Sequence, residues 1–120
     1  MKFCWATISV QDMERSLSFY ENIVGLTISE RMSPGEEMEI VFLGEGETKL
    51  ELISNPRYPA AENTQGIFLG FQVDSLDEKL KFVKEQGVEV TGGPYQPNPW
   101  VKFFFVKDPN GISIQFVEKS

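Results

Sequence analysis

The chain has 120 residues, the size of one domain, and its 41% hydrophobic content with ten Phe is typical of a globular protein with a core. The net charge of −7 argues against a nucleic-acid-binding surface, and no apolar run approaches the roughly 20 residues of a membrane span. A single Cys excludes an internal disulfide, and the N-terminus lacks a signal-peptide pattern, so we expect a cytoplasmic protein.

The first half of the chain has the pattern of a strand, a helix and three more strands. Alternation on the first strand places Trp5 and Thr7 on one face and Ile8 on the other. Asp12 is a typical helix N-cap and Gly25 a typical helix end, and apolar residues recur between them at helical spacing. The strands predicted in this half cover residues 3–10, 26–32, 38–43 and 48–54.

A segment without periodicity, residues 55–66, is predicted to be a linker because it is rich in Pro, Ala and polar residues. The same order of elements then begins again. Ser75 and Glu78 form a capping box, and Gly87 ends the second helix. The turn Asp108-Pro109-Asn110-Gly111 joins the last two strands. The strands predicted in this half cover residues 67–73, 88–92, 100–107 and 112–118, with a Pro-rich loop over residues 93–99.

The two halves form an internal repeat in which Val10 corresponds to Val73 and Asp12 to Ser75. The predicted fold class is therefore α+β, with two βαβββ modules in a single domain of residues 1–120. The first module covers residues 1–54, and the second covers residues 67–120. Each helix must bury its apolar stripe on one face of its own sheet, so the opposite faces are either covered or line a cavity.

Several stretches carry a family resemblance. They are residues 8–17 with Phe19-Tyr20 and Gly25-Leu26, residues 71–77, and the turn at residues 108–111. In these stretches the chain resembles the vicinal oxygen chelate superfamily, also called the glyoxalase/bleomycin resistance/dioxygenase family. The resemblance implies two modules with curved mixed sheets that enclose a cavity. It also implies pairing of modules within or between chains, and a homodimer.

Members of this family typically hold a divalent metal, with one His or Glu ligand on the first and last strand of each module. At the matching positions this chain has Trp5, Glu51, Phe68 and Gln115. The chain contains no His, and one Cys cannot form a thiolate site. Since Glu51 is the one strong ligand, we expect no metal and no cofactor. This argues against the isomerisation of glutathione hemithioacetals and the ring-cleaving dioxygenation found in the family.

The aromatic residues at these positions indicate a different use. Trp5 and Phe68 are equivalent in the repeat and are expected to face each other across the cavity, with Glu51 nearby. Two aromatic walls beside a carboxylate suit a flat or cationic organic ligand. The predicted ligand-binding residues are Trp5, Thr7, Glu51, Phe68, Trp100 and Gln115, and the loops at the predicted mouth add Arg57, Tyr58 and Tyr95.

A structural interpretation of the same residues stays open. Trp5 and Phe68 would then fill the cavity as core, and Glu51 would form a salt bridge with Lys49 or Lys102. The functional interpretation is a metal-free binder of a small organic ligand, as in the bleomycin-resistance branch of the family. The alternative is a lyase or dioxygenase of the same superfamily, with Glu51 as acid/base or metal ligand.

Overall fold

The computed structural model describes all 120 residues and divides into two units, Met1–Glu62 and Asn63–Ser120. The first unit contains β1 (Trp5–Ser9), α1 (Met13–Ser18), a π-helical segment (Phe19–Val24), β2 (Ile28–Met32), β3 (Glu39–Leu43) and β4 (Lys49–Ser54). The second contains β5 (Phe68–Gln72), α2 (Leu76–Glu85), β6 (Val90–Asn98), β7 (Val101–Lys107) and β8 (Ser113–Lys119). Neither unit has a helix with the length and hydropathy needed to cross a membrane.

Both units have the same sheet topology. The strand order is β1-β4-β3-β2 in the first and β5-β8-β7-β6 in the second, and the first strand of each pairs in parallel with the last. The register is also equivalent, since Thr7 lies opposite Glu51 and Gly70 opposite Gln115. These equivalences confirm the predicted α+β class and the βαβββ repeat.

The first helix begins and ends where the sequence predicts. The Asp12 carboxylate accepts a hydrogen bond from the Arg15 amide at 3.1 Å, and Gly25 ends the helix with φ of 96°. The second half of the helix is π-helical, and the Gly25 and Leu26 amides both donate to the carbonyl of Tyr20. Strand β2 therefore starts at Ile28 rather than at the predicted residue 26. The apolar side of this helix is buried, through Met13, Leu17, Phe19, Tyr20 and Ile23.

The second helix is held on its sheet at its N-terminus. The hydroxyl of Ser75 accepts from the Glu78 amide, and the Glu118 carboxylate of β8 accepts from the Leu76 amide at 2.8 Å. The Lys79 amine lies 4.9 Å from the centre of the Phe116 ring, and partial burial lowers the pKa of this amine. These contacts fix which face of the second sheet is covered.

The Pro-rich loop predicted at residues 93–99 is wrong, because most of it belongs to β6. Pro94 and Pro97 cannot donate ladder hydrogen bonds, so a central strand would exclude them. Strand β6 lies at the edge of the sheet, pairs only with β7 and has three shifts of register. An irregular edge strand therefore tolerates the residues that the sequence pattern assigns to a loop.

The turn between β7 and β8 is confirmed and is organised by a buried carboxylate. Asp108, 6% exposed, accepts hydrogen bonds from the Asn110 and Ile112 amides at 2.8 Å each and from the Asn110 side chain at 3.1 Å. Gly111 has φ of 85°, and a Cβ there would lie 2.7 Å from the backbone nitrogen of Asn63. The turn therefore needs both the carboxylate and the glycine.

Candidate ligand-binding site

One face of the first sheet is covered and the other is open. Ile8, Leu50 and Leu52 are buried on the side that packs against the helix, in alternation with residues that are not. Trp5 and Thr7 point to the opposite side and are exposed. We call this side the open face of the first sheet, and it contains three of the predicted ligand-binding residues.

A row of four side chains crosses this open face from strand to strand. Thr7 lies opposite Glu51, Glu51 opposite Phe42, and Phe42 opposite Glu30. The Thr7 hydroxyl donates to a Glu51 carboxylate oxygen at 2.5 Å. The Trp5 ring meets Phe42 edge to face, with centroids 5.2 Å apart at 73°. The result is an aromatic floor with a carboxylate on each side.

A groove with a volume of about 450 Å³ lies over one end of the row. Its lysines are already engaged, since Lys49 donates to the Gly44 carbonyl at 2.6 Å and Lys2 lies 3.7 Å from a Glu47 carboxylate oxygen. The groove is therefore an aromatic corner in which Lys2 is paired with Glu47 and the Lys49 ammonium is held at a backbone carbonyl. Its lining consists of Lys2, Phe3, Cys4, Trp5, Ser29, Glu30, Phe42, Glu47 and Lys49.

The open face of the second sheet carries a continuous aromatic surface. Phe68 lies 5.3 Å from Phe105, Phe105 lies 5.6 Å from Phe103, and Phe103 lies 5.8 Å from Tyr95, all measured between ring centroids. Gln115 sits beside Phe105 in the register of β7 and β8. A Cβ at Gly70 would come within 3.4 Å of the Gln115 side-chain oxygen, so this glycine leaves space over the amide.

The structure brings the predicted residues together in two groups. Trp5, Thr7 and Glu51 adjoin one another on the first sheet, and Phe68 and Gln115 lie on the open face of the second. Trp100 joins neither group. It lies at the turn between β6 and β7, before the first residue of β7.

Exposure and contacts bear on the structural interpretation, in which these residues fill the cavity as core and Glu51 pairs with a lysine. Trp5 is 51% exposed and Phe68 is 58% exposed within the single chain. Lys49 and Lys102 are bonded to Gly44 and Glu118, and the observed partner of Glu51 is Thr7.

Sequence reasoning missed four residues of these surfaces. Alternation in the run Phe103-Phe104-Phe105 gives a usable signal, because Phe104 is buried and both neighbours face the open side. Phe42 follows from alternation in β3, which buries Val41 and Leu43. Glu30 has no sequence signal, because its direction depends on an irregularity in β2.

The side chains of the candidate site do not provide a ligand set for the divalent metal that members of the resembled family hold. No group of three or more His, Cys, Asp or Glu side chains comes together in a way that could hold an ion. On the open faces, Trp5 and Phe68 have no ligand atoms, and an oxygen of Glu51 already accepts from Thr7. One carboxylate and one amide are too few oxygen ligands for a hard cation and the wrong ligands for a soft one.

Comparisons with known proteins bear on this site. Residues 2–116 match the model of the Glyoxalase/Bleomycin resistance protein/Dioxygenase superfamily. The chain is 33% identical to the lactoylglutathione lyase of Neisseria meningitidis, over 99% of this chain and 91% of that protein. Two solved structures share the fold: the antibiotic-binding protein TnmS3 of Streptomyces sp. CB03234 (TM-score 0.79, 24% identity, 100% and 97% coverage) and the glyoxalase I of Leishmania major (TM-score 0.78, 24% identity, 98% and 86% coverage). The chain belongs to the Glyoxalase/Bleomycin resistance protein/Dioxygenase superfamily.

Proposed function

We propose that this protein binds a flat, cationic aromatic small molecule without the help of a metal. The observation that carries the proposal is the row in which Phe42 lies between Glu51 and Glu30, with the Trp5 ring at 73° to the Phe42 ring. A planar ligand stacks on the aromatic floor, and a positive charge on the ligand meets a carboxylate at its edge.

The magnitudes favour a cation over an anion of the same shape. A cation over an aromatic face gains about 0.5 to 2 kcal/mol, depending on how far it is desolvated. Of the two lysines of the groove, Lys2 is paired with Glu47, whereas Lys49 is held at the Gly44 carbonyl and keeps its positive charge. The chain's net charge of −7 also raises the local concentration of cations and disfavours anions.

The second sheet offers an aromatic surface of different chemistry. Phe68, Phe105, Phe103 and Tyr95 present ring faces and edges without a carboxylate between them, and Gln115 adds one neutral amide. Such a surface suits planar, uncharged molecules, which it would bind through stacking and apolar contact. We assign Phe68 and Gln115 to this surface of the second unit, as a candidate site separate from that of the first.

A lyase is the second candidate function. It is favoured by the 33% identity to a protein named lactoylglutathione lyase and by a carboxylate, Glu51, at a metal-ligand position of the family. The Thr7 hydroxyl holds one oxygen of Glu51 and leaves the other for proton transfer. Isomerisation of a glutathione hemithioacetal would then depend on Glu51 alone as acid/base.

Calorimetry and a turnover assay separate the two candidates. We expect N-methylacridinium, a planar aromatic cation, to bind the purified protein with an affinity that EDTA does not change. We also expect no conversion of the hemithioacetal of methylglyoxal and glutathione, because the site lacks the ligand set for a metal. Turnover that disappears in Glu51→Gln, together with no binding of the acridinium, would establish the lyase instead.

We also propose that the protein is a homodimer. Large apolar side chains remain exposed in the single chain, and patches of this kind mark protein interfaces. Those that belong to neither candidate binding surface include Tyr58, Ile67 and Trp100. Light scattering at roughly tens of micromolar should give twice the 13.6 kDa mass of one chain. A mass of one chain throughout this range contradicts the proposal.

A further inference from the structure

Strand β2 contains an irregularity that changes the direction of one side chain. Ile28 lies opposite Leu43, whereas Glu30 lies opposite Phe42, so the register of β2 and β3 shifts between these two pairs. In a regular strand, residues 28 and 30 would share a face. Leu43 is buried and Phe42 belongs to the open face, so the bulge moves Glu30 to the open face.

Ser29 holds this bulge in place. Its hydroxyl donates to the Phe42 carbonyl at 3.2 Å, which ties the extra residue of β2 to the neighbouring strand. Beyond the bulge, Arg31 points to the helix side, where its guanidinium contacts Glu14 and Glu39 at 2.6 Å each. The direction of Glu30 is therefore fixed from both sides in the chain.

The Glu30 carboxylate is the one charged group of the groove that has no partner in the protein. Lys2 and Glu47 pair with each other, and Lys49 donates to the Gly44 carbonyl. Glu51, the other carboxylate of the row, is held by Thr7. An unpaired carboxylate at the edge of an aromatic floor is available for a ligand cation, since no lysine forms an ion pair with it.

We propose that Glu30, turned toward Phe42 and Trp5 by the bulge at Ser29, determines the charge specificity of the site. The inference rests on the proposed function and adds a named residue to it. Aromatic stacking supplies binding to any planar ligand of suitable size, whereas Glu30 supplies the preference for a ligand that carries a positive charge.

The test compares two probes of nearly the same shape, N-methylacridinium and acridine, at mildly alkaline pH where the acridine nitrogen is neutral. Calorimetry on the full chain should show that the wild type prefers the cation by about tenfold at low salt, and that added salt reduces this preference. In Glu30→Gln the affinity for the cation should fall by about fivefold or more, while the affinity for acridine stays within about twofold. Glu21→Gln, an exposed change of equal charge on the π-helical segment, should leave both affinities unchanged.

The outcomes distinguish this inference from the function on which it rests. If both probes bind the wild type equally, or if Glu30→Gln keeps the preference for the cation, the role of Glu30 is overturned while aromatic binding stands. If Glu21→Gln lowers the affinity for the cation as much as Glu30→Gln does, the preference comes from net charge and the role of Glu30 is again overturned. If neither probe binds, the proposed function and the inference fail together. Equal thermal unfolding of the three proteins shows that the comparison is made on folded chains.

Discussion

Replacing Asp108 with Ala should lower the free energy of unfolding of the second unit by about 3 kcal/mol. The carboxylate accepts from two backbone amides and one side-chain amide in a buried turn, and Ala removes these three hydrogen bonds at once. A hydrogen bond to a charged group contributes about 1.5 to 3 kcal/mol, and the amide donors left without a partner add a desolvation cost. The loss is less than the sum of the three, because water enters the enlarged turn and hydrates part of it.

The measurement is a urea melt followed by circular dichroism, with amide hydrogen exchange as a local readout. Asp74→Ala serves as the control, because Asp74 is exposed and its side chain forms no hydrogen bond or ion pair. We expect this control to change stability by less than about 0.5 kcal/mol. The Asn110 and Ile112 amides should lose protection from exchange in Asp108→Ala. A melt that overlays the control, with protection retained at both amides, contradicts the role assigned to this carboxylate.

The parts of the fold that the sequence predicts well depend on local chemistry. The caps at Asp12 and Ser75, the glycine ends of the helices and the Asp-Pro-Asn-Gly turn each act within a few residues, so their pattern is visible without the tertiary structure. The internal repeat also predicts the topology, because two halves with the same order of helix and strands are expected to form two sheets with the same strand order.

The errors fall where position in the sheet overrides the local pattern. Residues 93–99 contain three prolines and read as a loop, yet an edge strand accommodates most of them because its outer side needs no ladder partner. The π-helical segment differs in another way: its hydrogen bonds span one residue more than those of an α-helix, while the helix still ends at Gly25 as the sequence predicts.

The same distinction applies to the candidate site. Strict alternation places Trp5, Thr7 and Glu51 on one face, and the structure joins them as predicted neighbours. The direction of the Glu30 side chain could not be predicted in this way, because a bulge reverses the alternation. The sequence around Ser29 contains no pattern that predicts this bulge. Trp100 is predicted to bind the ligand with the other residues, but it lies in a turn at the end of a strand. The turn, rather than alternation along the strand, determines the position of its side chain.

Replacing Trp5 with Ala should separate binding from stability. Trp5 is 51% exposed and its described ring contact is one edge-to-face pair with Phe42, so we expect the change to lower the free energy of unfolding by about 1 kcal/mol. A buried tryptophan would cost about 3 to 5 kcal/mol. The affinity for N-methylacridinium should fall by about tenfold, because the ligand loses one wall of the aromatic corner and the cation–π contact with the indole.

The decisive comparison is with Tyr58→Ala, which removes an aromatic side chain of similar exposure, 57%. The sequence assigns Tyr58 to the predicted mouth, but in the structure it lies outside the groove, beside Val10 and Pro56. Urea melts measure the stability of both variants, and calorimetry measures their affinity for the acridinium. Tyr58→Ala should bind like the wild type, because its ring takes no part in the row of Thr7, Glu51, Phe42 and Glu30. Equal affinities in the two variants contradict a ligand-binding role for Trp5. A stability loss of about 3 kcal/mol or more in Trp5→Ala would instead place this residue in a packed interface, where its ring serves folding or assembly.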